Sequence, residues 1–334
     1  MIVDRLLASN LLPDALVRFG IRRALHERVR ELERTSPAGY ADLLRASPLA
    51  VHTEDANAQH YEVPAEFFRL VLGPRLKYSC ALFPPGVTTL ASAEEAMLHL
   101  TCERARLADG QTILELGCGW GSLSLWMAEH YPNSRIVAVS NSASQKAFID
   151  AEASRRSLRN LEIRTRDMRD FATTETFDRV VSVEMFEHMR NYEELLRRVS
   201  AWLQPEGELF VHVFSHKRVP YLFEDRGPSD WMARHFFTGG QMPSRDLLPQ
   251  FQKDLRVLEQ WHLDGTHYQK TAQAWLANMD ASAVAVRSVF ARVYGPESRR
   301  FFAYWRVFFL AVAETWGHRD GEEWGVSHYR FGRV

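Results

Sequence analysis

Two glutamates and a histidine lie close together in the stretch Glu184-Met185-Phe186-Glu187-His188. Carboxylates and imidazoles are among the side chains that most often move protons in enzymes. The apolar residues on either side would raise carboxylate pKa values toward neutrality, which favours proton transfer. We therefore predict catalytic roles for Glu187, His188 and Glu184. The alternative is that Glu187 or His188 caps the helix that follows.

A glycine-rich turn in the first half of the chain predicts a ligand-binding site. An apolar run at 112–116 ends in three glycines at alternate positions, Gly117, Gly119 and Gly121, and a helical pattern follows at 122–128. This is the strand, turn and helix arrangement that opens a nucleotide-binding α/β unit. Glycine lets such a turn bend tightly and lie against a bulky cofactor, because no Cβ stands between them.

The same turn does not match a dinucleotide site. Its glycine spacing differs from the GxGxxG pattern, and a dinucleotide site adds an acidic residue about 20 positions further on. Here the next strand, at 135–139, leads into Ser140-Asn141-Ser142 with no carboxylate. We therefore expect that the chain does not bind NAD.

Strand and helix patterns alternate after the glycine turn. Apolar runs predict strands at 134–139, 161–165, 177–183 and 208–214. Ser142 is expected to cap the helix after the first of these strands. The alternation predicts an α/β fold with a doubly wound, mainly parallel sheet and helices on both faces. Ligands of such folds bind at the carboxyl ends of the strands, where the glycine turn and the acidic cluster both lie.

The regions around this alternating core predict additions to it. Residues 1–60 have helical periodicity and are expected to form an N-terminal helical extension. Residues 61–334 would then form the main domain, in which the aromatic-rich segment 216–280 interrupts the alternation. A hydrophobic cluster beneath a long loop would also explain that segment.

Composition narrows the class of protein. The 334 residues are 46% hydrophobic and 25% charged, and a net charge of −1 leaves no basic footprint for nucleic acid or an anionic membrane. No apolar run reaches the roughly 18 residues of a membrane span, and the N-terminal run is too interrupted for a signal peptide. Three dispersed cysteines suit a reducing compartment and lack metal-ligand spacing. We expect a cytoplasmic protein without a metal site, either a monomer or a homodimer.

The stretch Glu115-Leu116-Gly117-Cys118-Gly119-Trp120-Gly121 resembles motif I of class I S-adenosylmethionine-dependent methyltransferases. Two pieces that precede it, at 59–68 and 76–83, make the chain similar to the cyclopropane-fatty-acyl-phospholipid synthase family. The resemblance implies a Rossmann-like fold, S-adenosylmethionine as cofactor and S-adenosylhomocysteine as product. It also implies that 216–280 is a substrate lid inserted between strands 5 and 6.

Within that family the chain is most similar to the coclaurine N-methyltransferase branch. The similarity rests on residues 184–189, Asp230-Trp231, Phe236-Phe237-Thr238 and Glu322-Glu323-Trp324. It implies methyl transfer to a small amine with an aromatic or apolar body. Glu187 and His188 would then remove the ammonium proton, and Glu184 would stabilise the cation.

The resemblance also implies which residues contact the cofactor. The Tyr-Ser-Cys element would fold over the methionyl end, the serine and glutamine that open the second helix would lie near the ribose, and an aspartate would reach the adenine. These residues, with motif I, are Tyr78, Ser79, Glu115, Gly117, Gly119, Ser142, Gln145 and Asp167.

A second activity stays open from the same resemblance, namely methyl or methylene transfer to an unsaturated fatty acyl chain. In the cyclopropane synthases a bicarbonate ion accepts the proton, and the matching positions here are Cys80, Glu187, His212 and Tyr268. Those synthases usually have glycine where Glu184 stands. Without the resemblance, Cys80 is a small buried hydrophobic residue. Cys80, His212, Phe237 and Tyr268 are thus expected in the substrate or bicarbonate pocket.

A non-enzymatic cofactor-binding protein is a third hypothesis, which the proton-handling residues disfavour.

Overall fold

A seven-stranded sheet organises the computed structural model, which describes residues 2–51, 63–227 and 230–334. In chain order the strands are β1 Thr112–Leu116, β2 Arg135–Ser140, β3 Leu161–Thr165, β4 Phe177–Val183, β5 Leu203–His216, β6 Tyr221–Leu222, β7 Gln241–Met242, β8 Leu255–Asp264 and β9 Trp324–Arg333. The order across the main sheet is β3-β2-β1-β4-β5-β9-β8, and β6 pairs with β7 separately. Strands β1 to β5 are parallel, and β9 runs antiparallel to both β5 and β8. The predicted Rossmann-like fold is confirmed.

Helices cover both faces of this sheet. They are α1 Ile2–Ser9, α2 Asp14–Arg34, α3 Tyr40–Arg45, α4 Ala65–Val71, α5 Leu90–Arg104, α6 Ser122–His130, α7 Ala143–Arg155, α8 Tyr192–Trp202, α9 Trp231–His235, α10 Thr266–Ala281, α11 Ala283–Tyr294 and α12 Ser298–Trp316. Successive side chains of a strand point to opposite faces. On β1, Ile113 accordingly packs with Leu98 of α5 and Leu123 of α6, while Leu114 packs with Leu195 of α8.

The expected insertion at 216–280 needs a correction in its extent. It includes β8, a strand of the main sheet, and nearly all of α10. The part that leaves the sheet between β5 and β8 is therefore 217–254. The sequence pattern concealed β8 because its side chains are mostly exposed or half-buried, so it lacks an apolar run. The boundary at 60/61 between the N-terminal extension and the main domain lies outside the described residues, as do Gln59 to Glu62.

The N-terminal helices pack against the main domain and the insertion. Arg18 of α2 donates a 2.6 Å hydrogen bond to Glu314 of α12, and Arg28 of α2 donates one of 2.8 Å to Asp230 at the start of α9. These arginines therefore hold elements of the same chain together. Across residues 2–51, 63–227 and 230–334, none of the helices has the length and apolar composition needed to cross a membrane.

A buried glutamate on α5 holds the loop that leads to the Tyr78-Ser79-Cys80 element. The Glu94 carboxylate accepts backbone N–H bonds from Gly73, Arg75 and Lys77 at 3.0, 2.9 and 3.3 Å. Burial raises the pKa of Glu94 to about 7, although these amides oppose the shift. Three backbone donors of one loop thus depend on a single side chain.

We expect Glu94→Ala to lower the free energy of unfolding by about 2–4 kcal/mol, because buried N–H groups would lose their acceptor. The affinity for S-adenosylhomocysteine should fall with it, since the loop carries Tyr78 and Ser79. Chemical denaturation and calorimetric titration would measure the two effects. Glu95→Ala, at a half-exposed neighbouring position, is the matched control. Equal stability of the two variants would contradict this role of Glu94.

Candidate active site

A pocket opens at the carboxyl ends of β1, β2 and β4, where the fold predicts ligand binding. Its wall includes most of the residues that the sequence singled out. These are Tyr78, Ser79, Glu115, Gly117, Gly119, Gln145, Asp167, Glu184, Glu187, His188, Phe237 and Tyr268. The structure therefore brings together residues that are far apart along the chain.

Three of the expected site residues do not line this pocket. Ser142 caps α7 instead, since its Oγ accepts the Gln145 N–H at 3.3 Å. The Cys80 side chain is fully buried, and its Sγ donates to the Ala81 carbonyl. His212 is also fully buried, and it contacts Glu184 rather than the pocket space. Direct contact of these three side chains with a ligand stays a prediction.

The glycine turn needs its glycines for two different reasons. Gly117, Gly119 and Gly121 all have positive φ angles, +82°, +51° and +80°, which side chains other than glycine rarely adopt. A Cβ on Gly117 would lie only 2.9 Å from Met185. A Cβ on Gly119 would meet no protein atom within 4 Å, because Gly119 borders the pocket. Gly119 therefore keeps pocket space open.

Several buried polar atoms of the pocket have no hydrogen-bond partner among the residues that the structure describes. They are Thr101 Oγ1, Trp120 Nε1, Ser122 Oγ and Gln145 Nε2. Buried polar groups are normally satisfied, so unpaired ones that line a pocket fit a polar ligand. S-adenosylmethionine supplies such groups in its amino-acid and nucleoside parts. Of these residues, only Gln145 was singled out from the sequence. Trp120 lies within the motif I stretch but was not singled out, and Thr101 and Ser122 had no distinguishing pattern around them.

Glu115 and Asp167 also line the pocket, and each accepts hydrogen bonds from neighbouring residues. Glu115 is buried and accepts a hydrogen bond from Ser124, and burial raises its pKa to about 7. Asp167 accepts the Arg169 backbone N–H at 2.8 Å and two bonds from the Arg169 guanidinium. These bonds fix the side chain of Asp167 at the pocket edge.

Glu184 is held by contacts from three separate parts of the chain. Its Oε1 accepts the Cys80 backbone N–H at 3.1 Å and lies 3.3 Å from His212 Nε2, while Tyr268 donates to Oε2 at 2.7 Å. Burial raises the pKa of Glu184, but the charge of Lys77 and the bonds from Tyr268 and Cys80 oppose that shift. The donors favour the carboxylate form.

Backbone strain accompanies this arrangement. Glu184 has a φ of +49°, a left-handed conformation that costs energy for a residue with a side chain. The conformation directs the carboxyl group to its three partners at the end of β4.

Glu187 differs from Glu184 although both are buried. Its Oε2 has no hydrogen-bond partner in the described protein, and its side chain is only 2% exposed. Burial and the nearby charge of Glu184 raise the pKa of Glu187 well above the ordinary range. Two carboxyl groups in different environments can take different roles, and here Glu187 is the one suited to bind a proton.

The helix-capping alternative is wrong. Phe186–His188 forms a separate 3₁₀ turn, and α8 begins only at Tyr192. The cap of α8 is Asn191, whose side chain accepts the Glu194 N–H at 3.0 Å. His188 instead lines the pocket, where its ring is nearly parallel to that of Phe237. Burial lowers the pKa of His188 to about 4, so this imidazole is neutral at physiological pH.

Lys77 is a pocket residue that sequence reasoning missed. Its side chain is only 2% exposed, and its ammonium group donates to Ser79 Oγ. Its positive charge opposes the rise that burial causes in the pKa of Glu184. Lysine is rarely buried in proteins, so its position beside an apolar run did not indicate this role.

Comparison with known proteins agrees with this geometry. A family profile described as mycolic acid cyclopropane synthetase matches residues 50–317. The chain belongs to the mycolic acid cyclopropane synthetase family. It is an S-adenosylmethionine-dependent methyltransferase, and the glycine turn and the unpaired polar atoms of the pocket are consistent with that cofactor. The resemblance inferred from the sequence is confirmed.

Relatives within the mycolic acid cyclopropane synthetase family differ in similarity. (S)-Coclaurine N-methyltransferase from Thalictrum flavum subsp. glaucum is 41% identical over 293 residues, covering 86% of this chain and 81% of that protein. The cyclopropane-fatty-acyl-phospholipid synthase of Escherichia coli is 32% identical over 274 residues, covering 81% and 67%. A crystal structure of coclaurine N-methyltransferase bound to N-methylheliamine and S-adenosylhomocysteine has a TM-score of 0.95 at 37% identity, with 99% of both chains covered.

We expect Gly119→Val to abolish binding of S-adenosylhomocysteine, because the branched side chain would fill pocket space. Gly110→Val is the matched control, since Gly110 also has a positive φ and no atom within 4 Å of an added Cβ, yet it does not line the pocket. Both variants carry the same kind of backbone strain. Calorimetric titration should therefore show lost binding only for Gly119→Val, and equal affinities would refute its place in the cofactor site.

Proposed function

We propose that this enzyme transfers the methyl group of S-adenosylmethionine to the nitrogen of a small amine with an aromatic or apolar body. The observation that carries the proposal is the buried Glu184 carboxylate, held by three hydrogen bonds at the pocket wall. A fixed anion stabilises a cation that develops beside it. The similarity to a coclaurine N-methyltransferase structure bound to N-methylheliamine supports the same substrate class.

The walls of the pocket suit an aromatic or apolar body. They include the rings of Phe214, Phe237, Tyr268, Trp275 and Phe308. Aromatic side chains offer large contact areas and favourable ring geometry to an aromatic ligand, and they also attract a cationic nitrogen. The acidic groups Glu184 and Glu187 line the same pocket. An amine on an aromatic body would satisfy both parts of this surface.

The different environments of Glu184 and Glu187 indicate which of the two carboxyl groups removes the proton from the substrate. Most amines arrive as ammonium ions, which lack the lone pair that attacks carbon. We assign removal of that proton to Glu187, whose Oε2 has no partner, with the neutral His188 beside it. Burial raises the pKa of Glu184, but its hydrogen bonds and the charge of Lys77 favour the carboxylate form, which suits it to stabilise a cation.

The bound cofactor supplies a methyl group already activated by a positive sulfonium. The amine lone pair forms the N–C bond while the C–S bond breaks and sulfur keeps its electron pair. The positive charge thereby moves from sulfur to nitrogen. Glu184 stabilises that charge, and the surrounding aromatic rings keep water away from the reacting atoms.

In the acyl-chain alternative, the groups that contact Glu184 would have to hold a bicarbonate ion instead. Four positions were expected to hold bicarbonate. Three of them, Cys80, His212 and Tyr268, contact the Glu184 carboxylate through hydrogen-bonding groups. A carboxylate has the same planar pair of oxygens as bicarbonate. We infer that Glu184 takes the place of that ion, and the contacts therefore favour the amine. Location in the cytoplasm and the oligomeric state stay predictions.

We expect Glu187→Gln to lower kcat for an amine substrate by about 10²–10⁴, the usual loss when a general base is removed. The affinity for S-adenosylhomocysteine should change little, because glutamine has nearly the same shape. Steady-state kinetics on an amine panel and calorimetric titration would measure both. Glu206→Gln, at an exposed position, is the control. Retained turnover with reduced thermal stability would show that Glu187 is only structural.

Glu184→Gly tests the substrate class. Glycine tolerates the positive φ, so the variant should fold, yet amine turnover should fall about 10²–10³-fold because the fixed anion is lost. Added formate or bicarbonate should restore part of the activity by occupying the same donors. Wild type and variant are assayed on amines and on unsaturated phospholipid vesicles. If wild type methylates only the lipid, and the variant does so equally well, the amine proposal is wrong.

A further inference from the structure

Two fully buried histidines lie side by side on neighbouring strands of the sheet. His212 on β5 and His328 on β9 are directly paired residues of the antiparallel ladder, and Trp261 on β8 is the next partner of His328. The two imidazole rings have centroids 4.6 Å apart. Neither the reaction assigned above nor the sequence motifs use His328.

Hydrogen bonds connect these histidines into a chain that ends at Glu184. Arg104, the last residue of α5, places Nη1 2.8 Å from His328 Nδ1, and its guanidinium lies over the Trp261 ring at 4.9 Å. His328 Nε2 lies 2.9 Å from His212 Nδ1. His212 Nε2 lies 3.3 Å from Glu184 Oε1. Four side chains from α5, β9, β5 and the end of β4 thus form one continuous line.

The direction of every bond in this chain follows from its end groups. A guanidinium can only donate, so Nδ1 of His328 must accept, and the neutral His328 ring carries its proton on Nε2. His328 donates that proton to Nδ1 of His212. Because Nδ1 accepts, the neutral His212 ring carries its own proton on Nε2. The last bond therefore points from His212 to the Glu184 carboxylate, which can only accept.

We propose that Arg104 and His328 are positioning residues that fix His212 as a hydrogen-bond donor to Glu184. The proposal rests on the proposed function, in which Glu184 is the anion that stabilises the methylated amine. His212 cannot serve as a base in this arrangement, because one ring nitrogen already accepts a bond and the other already holds a proton. Removal of the substrate proton is thereby left to Glu187 and His188.

Other charged and titratable groups also face these four side chains and influence their pKa values. Around Glu184 are Lys77, Cys80, Glu187, His188 and Tyr268, and around the histidines are Lys77, Arg104 and His262. Burial lowers the pKa of both His212 and His328 well below the usual range, which agrees with two neutral rings. Loss of the chain would remove one donor from Glu184 and raise the pKa of that carboxyl.

The histidine tautomers can be tested without turnover. Nitrogen-15 NMR of the full-length protein, labelled on histidine, distinguishes protonated from unprotonated ring nitrogens. Signals would be assigned with His212→Gln and His328→Gln. In wild type, both residues should keep Nε2 protonated and Nδ1 unprotonated from about pH 6 to about pH 9. In Arg104→Met, His328 should lose this single tautomer, because Nδ1 no longer faces an obligatory donor. A charged ring, or a proton on Nδ1 of His212 in wild type, would overturn the proposal.

Kinetics test what the chain does for Glu184. In Arg104→Met, kcat for an amine should fall about tenfold because Glu184 loses part of its support, while KM for S-adenosylmethionine should stay unchanged. Arg104→Lys keeps a donor and should restore most of the loss. The control is Arg106→Met, at an exposed arginine nearby.

Equal kcat for wild type and Arg104→Met, or a loss that Arg104→Lys does not restore, would overturn the positioning role, even if the variant were less stable. Failure of the proposed function would look different. In that case wild type would turn over no amine, while the NMR result on the two tautomers would still be obtained.

Discussion

The buried carboxylate of Glu184 is the constraint on which the rest of the site depends. A buried ion without partners costs several kcal/mol, so this one requires hydrogen-bond donors that stay in place. The donors come from separate parts of the chain: the loop at Cys80, strand β5 through His212, and helix α10 through Tyr268. Those elements must keep their relative positions for the pocket to keep its charge.

The fold supplies this stability in two places. The sheet pairs β5 with β9, so that His212 is supported by His328 from a strand more than a hundred residues away. The loop before Cys80 is held separately, by the three backbone bonds to Glu94 on α5. Helix α5 therefore contributes to the site twice, through Glu94 near its start and through Arg104 at its end, although neither side chain belongs to the reaction itself.

Two neighbouring carboxyl groups acquire different properties because their partners differ. Glu184 has three hydrogen-bond contacts and a nearby lysine, which favour its anion, whereas one oxygen of Glu187 has none. Because of this difference, Glu184 can stabilise a positive charge while Glu187, three residues later, can remove a proton. It also explains how a chain related to cyclopropane synthases could act on an amine, since a side chain occupies the donors that would otherwise bind a small anion.

The sequence by itself determined the fold class, the cofactor and the acidic cluster, because each of them is encoded locally. Strand β1 with its glycines, the repeating strand and helix patterns, and the stretch from Glu184 to His188 can all be recognised within short windows. The predicted extent of the insertion, 216–280, was wrong because the largely exposed strand β8 has no apolar run. Only the tertiary structure decided that Cys80 and His212 bond Glu184 rather than line the pocket. It alone revealed Lys77, Arg104 and His328, because their contacts depend on strand register and helix packing between residues distant in sequence.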